Sequence, residues 1–144
     1  MELEFKHIAP YLPYGLNWFC LDKDSREIEE LPLVSINLAS EELSIGGMDI
    51  TIDELPYPNG LTIKPILRPL SDLTSEQLEE EMRKRGHSSH IHWTTKESHI
   101  RIKNYGREGW LNTIPFAIIQ YLFENHYDVF GLIENGLAHK MENI

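Results

Sequence analysis

The stretch "LSIGGMDITI", residues 43–52, alternates apolar and polar side chains on both sides of a double glycine, with Leu43 and Ile45 before it and Met48, Ile50 and Ile52 after it. Period-two alternation marks a strand with one buried face, and paired glycines supply the positive-φ positions that a two-residue turn needs. The stretch therefore predicts a tight antiparallel hairpin, and with it a sheet-containing fold. Working outward, Asn17 to Leu21 and Arg26 to Leu38 read as two more strands around the polar turn Asp22-Lys23-Asp24-Ser25. Pro32 demotes the second of them to an edge or bulged strand. Further upstream, "APYLPYGL" (Ala9 to Leu16) holds two prolines and a glycine in eight residues, which predicts an ordered, aromatic-bearing loop rather than a helix or a central strand. Downstream, Pro56, Pro58, Pro65 and Pro69 break most of "LPYPNGLTIKPILRPL", leaving a short strand at Leu61 to Ile63.

The second half is expected to hold two helices. In "LTSEQLEEEMRKRG", Thr74 suits the N-cap with Gln77 as its capping-box partner, and Leu73 and Leu78 stand at the positions of a hydrophobic staple. Glu79, Glu80 and Glu81 each precede a base by four residues, at Arg83, Lys84 and Arg85, and Gly86 ends the helix. These carboxylates already have a structural role, which removes most of the case for acid-base chemistry among them. Near 113–125, Asn112 or Thr113 can cap a helix with Pro115 in its first turn. Its Ile114, Phe116, Ile118, Ile119, Tyr121 and Phe123 make it apolar on nearly every side, the pattern of a buried helix packed on the sheet. His126 and Asp128 beyond it have the types of a catalytic pair. A histidine at a helix C-terminus and an Asp capping the next turn account for them more simply.

Four of the seven histidines fall in "HSSHIHWTTKESH", residues 87–99. Alternation over Ser89 to Thr95 and Ser98 to Asn104 predicts a second hairpin, with Ile91, Trp93, Ile100 and Ile102 on its buried side. The exposed side then carries His90, His92, His99, Arg101 and Lys103, pairing His92 with Arg101 and His90 with Lys103. A His-x-His step aims two imidazoles the same way, a legitimate ligand spacing. Cationic neighbours disfavour a divalent metal there, and no carboxylate or thiolate on that face completes a site. No metal ligand is assigned. The face reads first as exposed polar surface and second as an anion contact.

At 144 residues the chain fits one domain, able to bury about 68–70% of the surface of its unfolded form. The reading is a single α+β domain over 1–144: an antiparallel sheet of hairpins, one exposed capped helix and one buried C-terminal helix. The opening residues lack the pattern of a signal peptide and no apolar run spans a bilayer, so a soluble, cytoplasmic protein without a membrane partner is expected. The lone Cys20, inside "NWFCL", forms no intrachain disulfide and reads as inert core. The net charge is −10, with twelve acids against three bases in residues 1–60 but seven against nine in 61–110. That acidity argues against nucleic acid as a partner.

Three stretches, "APYLPYGL", "KPILRPLSDL" and "LFENHYDVFGLIENGLA", resemble segments of small uncharacterised proteins of Bacteroides-type gut bacteria and their phages and prophages. The resemblance covers about a quarter of the chain and implies a mobile-element setting inside a bacterium. It carries no activity, ligand or catalytic residue. Within "KPILRPL", Lys64 and Arg68 each precede a proline, and two cations on a stiff extended loop suit the carboxylates of a partner. The expected function is that of a noncatalytic accessory protein, without cofactor or catalytic residues, that binds a bacterial or phage protein through Lys64, Arg68, His90, His92, Arg101 and Lys103. The alternatives are weak binding of nucleic acid or another polyanion by the 89–104 hairpin and, behind it, a His-dependent metalloenzyme.

Overall fold

Trp18 and Cys20 are buried while Asn17 is exposed and Phe19 half-exposed, and this alternation builds β1 (Asn17–Asp22) at the middle of a six-stranded sheet. The structure, a computed structural model, describes residues 1–85, 99 and 114–141. The other strands are β2 (Ile28–Asn37), β3 (Glu42–Ile45), β4 (Met48–Thr51), β5 (Leu61–Leu67) and β6 (His139–Lys140). They lie in the order β4-β3-β2-β1-β5-β6, and every pair is antiparallel except β5 with β6. The α+β class expected from the sequence is the observed one. Gly46 and Gly47 close the β3–β4 hairpin at φ +56° and +87°, pairing Ile45 with Met48 and Leu43 with Ile50. β2 carries its irregularity between Leu33 and Ser35, where the register against β3 shifts and leaves Val34 exposed.

Two expectations about proline give way. Ala9–Tyr14 is a 3-10 helix following the single-turn helix α1 (Phe5–Ile8), because Pro10 stands at its start and Pro13 is tolerated in so short a run. Lys64 and Pro65 lie inside β5, not in a loop. The reason is the side on which the donor is missing. The Ile63 N–H points away from β1, to the Pro56 carbonyl at 2.8 Å, so position 65 points the same way, and β6 joins only at Ile66. The ladder to β1 loses no hydrogen bond.

Helix α2 (Ser75–Lys84) has the expected reciprocal cap, with the Thr74 hydroxyl accepting from the Gln77 N–H at 3.2 Å and the Gln77 side chain accepting from the Thr74 N–H at 3.1 Å. All three Glu-to-base pairs form along it. Helix α3 (Phe116–Glu124) begins one residue after Pro115, which is its N-cap, so Pro115 is outside the first turn. It buries Ile118, Tyr121 and Leu122 and leaves Phe116 76% exposed, so it is not apolar core on every side. Its packing also differs from expectation. α3 lies against α2 and the N-terminal 3-10 helix, forming a cluster of Leu73, Leu78, Met82, Ile118 and Leu122. The inner face of the sheet is covered instead by Ile8, Tyr11 and Leu16 and by Leu132, Leu137 and Ala138. Phe123 and Phe130 touch both clusters.

Candidate functional site

Side chains two apart on a strand share a face, so the burial of Trp18, Cys20, Ile63 and Pro65 turns Phe19 of β1 and Lys64 of β5 to the opposite, outer face. The two are direct cross-strand partners, and Glu30 of β2 lies on Phe19's other side. From β6, His139 lays its ring on Phe19 with centroids 4.1 Å apart and planes 7° from parallel. The hydrogen bond from Ile63 to Pro56 holds the preceding loop beside β5 and brings Tyr57 to Lys64, whose Nζ is 5.6 Å from the ring centroid. Asp22 pairs with Leu61, so the β1–β2 turn ends at the same place and Lys23 reaches the same ring, 5.7 Å from its centroid. Tyr57 is 58% exposed. The result is an outward surface of two stacked rings, a tyrosine and two ammonium groups, with Glu30 at its rim.

The ion pairs among the described residues join Lys6 to Glu4, Arg83 to Glu79, Lys84 to Glu80, and Arg85 to both Glu81 and Glu124. Lys23 and Lys64 take part in none of them. An ammonium over an aromatic face gains about 0.5–1 kcal/mol at an exposed site, less than a desolvated anion would offer it.

Several other titratable groups serve the backbone. The buried His7 accepts the Glu4 N–H on Nδ1 at 3.0 Å, and burial chiefly holds its pKa below the ordinary value, with Glu4 opposing and Lys6 reinforcing. The Tyr11 hydroxyl donates to the Tyr127 carbonyl and accepts from the Val129 N–H, and burial pushes its pKa up. Asp128 accepts from the Leu132 and Ile133 N–H groups at 2.8 and 2.9 Å, and burial raises its pKa in spite of them. It caps the turn, as expected. His126 directs Nε2 to the Tyr14 carbonyl at 2.8 Å, so neither member of the imagined catalytic pair serves the other. Burial, then Glu29 and Asp22, raises the Cys20 thiol, which keeps it a poor nucleophile. Burial pushes Tyr121 up to about 12, while the guanidinium of Arg85 lies over its ring.

Of the residues expected to bind, Lys64 is in this surface, in a strand where a loop was expected. Arg68 is exposed but stands past the end of β5, bridged to Tyr127, about 13 Å along the strand direction from Lys64, and the two do not converge. His90, His92, Arg101 and Lys103 lie outside the described residues. His99 is described and departs from the expected exposed strand: its backbone is helical, it is half-buried, and its Nε2 sits 3.0 Å from the Leu73 carbonyl oxygen. Among the described residues no three His, Cys, Asp or Glu side chains gather as metal ligands, and no helix is long and apolar enough to cross a membrane. Sequence reasoning missed Phe19, Tyr57, Lys23 and His139. Phe19 carried a signal, since alternation with Trp18 and Cys20 turns it outward, whereas its contact with His139 joins residues 120 positions apart. No family model matches the chain, and neither a curated protein nor a solved structure does.

Proposed function

We propose that the protein is a noncatalytic accessory protein that binds another protein through the outer face of β1, β5 and β6. The observation that carries this reading is the exposed Tyr57 with the ammonium groups of Lys23 and Lys64 near its ring, on the same face as the Phe19–His139 stack. Tyrosine and other aromatics give large contact area at small entropic cost, which is why they are enriched at protein interfaces. The buried His7, Tyr11 and Asp128 are engaged with backbone amides and carbonyls, which supports a binding role over a catalytic one. The resemblance of three segments to phage and prophage proteins points to a bacterial or phage protein as partner, met in the cytoplasm.

Affinity capture from a bacterial host lysate, with and without phage, tests the reading. The wild-type chain is expected to retain one protein reproducibly, and Tyr57→Ala with Phe19→Ala is expected to lose it while keeping the far-ultraviolet circular dichroism of the fold. Retention of that protein by the double variant, or turnover in a hydrolase screen with nothing captured, overturns it.

A further inference from the structure

The chemistry of the partner is written in the charges of the same face. Lys23 and Lys64 place both ammonium groups within 5.7 Å of one ring centroid, and neither is paired with a described carboxylate in a chain that has 23 acids to offer. Each ammonium has an aromatic ring but no described carboxylate for a partner, and an anion seated beside it supplies the opposite charge that the ring does not. Phe19 and His139 add an aromatic shelf next to the cations, and Lys64 is the cross-strand neighbour of Phe19.

The rim decides which anion fits. Asp24 follows Lys23 in the β1–β2 turn, Glu30 lies across the ladder from Phe19, and the whole chain carries −10. A duplex presents a negative charge about every 1.7 Å of its axis, so a continuous polyanion puts phosphates on those carboxylates as well as on the lysines. An extended peptide spaces same-side residues by roughly 6.6–6.8 Å, which lets single carboxylates meet the two lysines and stay clear of the rim. We infer that the outer face takes an acidic segment of its partner, with carboxylates at Lys23 and Lys64 and an aromatic or apolar side chain against Tyr57 and the Phe19–His139 stack.

This rests on the protein-binding reading, and the test separates the two. The nitrogen-15-labelled full chain is titrated with three decapeptides in which tyrosine pairs alternate with pairs of glutamate, glutamine or lysine, so that each side of the extended peptide carries both residue types, and with a ten-nucleotide thymidine oligomer. The glutamate peptide is expected to shift the amide resonances of Phe19, Tyr57, Lys64 and His139. Its affinity should fall about tenfold in Lys23→Gln with Lys64→Gln, and fall again as salt is raised. Arg83→Gln with Lys84→Gln, on exposed positions of α2, should leave it within about twofold, the scale of a screened surface charge. Equal binding of the glutamate and glutamine peptides overturns the acidic chemistry and leaves the docking face standing. Tighter binding of the oligomer, an unaffected lysine double variant, or no shift on this face with any peptide overturns the inference outright.

Discussion

The Tyr11 hydroxyl holds two distant parts of the chain together through one oxygen, donating to the Tyr127 carbonyl and accepting the Val129 N–H at 3.2 Å. Tyr11→Phe keeps the ring and its edge-on contact with Phe123 but leaves those two backbone groups short of a partner in a buried place. The expected cost is about 1–3 kcal/mol in urea unfolding with an unchanged slope; a loss under about 0.5 kcal/mol would mean that other groups replace the hydroxyl. His7 sets a pH dependence. Burial lowers its folded-state pKa below the ordinary 6.5, so in the interval beneath 6.5 the unfolded chain binds more protons, and stability rises with pH there and is lost as pH falls through it. Asp128 has the opposite sign: its raised pKa makes stability fall as pH rises through the interval above 3.8. His7→Gln keeps an acceptor for the Glu4 N–H and removes the titration. The melting temperature of that variant should decline less than the wild type's on acidification below about pH 6.5; parallel curves would show that His7 does not carry the slope.

Among the elements, the β3–β4 hairpin gives the sharpest contrast. A Cβ at Gly46 would lie 2.8 Å and 2.9 Å from Leu31 side-chain atoms, whereas one at Gly47 meets nothing within 4 Å, although both glycines have positive φ. Gly47→Ala should therefore cost only the left-handed backbone term of about 1–2 kcal/mol, and Gly46→Ala should cost more, because Leu31 must also move. Equal losses of denaturant midpoint would show that Leu31 yields freely. This hairpin and the capped α2 were legible in the sequence because their signals are local: alternation around a glycine pair, and a Thr and a Gln three apart. β5 was only half legible. Whether Pro65 breaks a strand depends on which neighbour its missing N–H would have faced, and that neighbour, β6, arrives more than 70 residues later. The candidate site suffered from the same cause. Lys64 was singled out for its proline, but its partner Tyr57 is placed by the Ile63 to Pro56 hydrogen bond, and His139 by a two-residue parallel pairing with no local pattern of its own.

For the whole molecule, the question is whether its two apolar clusters unfold together. One lies under the sheet around Trp18, Ile45 and Ile63, the other between α2 and α3 around Leu78, Met82 and Ile118. Among the described residues, the links that join them are of a kind that couples strongly. Phe123 and Phe130 pack on both clusters, the Tyr11 hydroxyl crosses between them, and the Arg68 backbone exchanges hydrogen bonds with His126 and Asp128 at 2.7 Å each. Opening the helical cluster alone would strand those backbone groups and expose both phenylalanines, so the two clusters should open as one unit. Native-state hydrogen exchange measures this directly. The slowest amides of β1, such as Cys20, and of α3, such as Leu122, should report opening free energies that agree within about 1.4 kcal/mol, a tenfold difference in rate. Phe123→Ala removes a ring shared by both sides, and it should lower both values together. If α3 amides exchange far faster than those of β1, and Phe123→Ala leaves β1 unchanged, the helical cluster is a separate unit docked on the sheet.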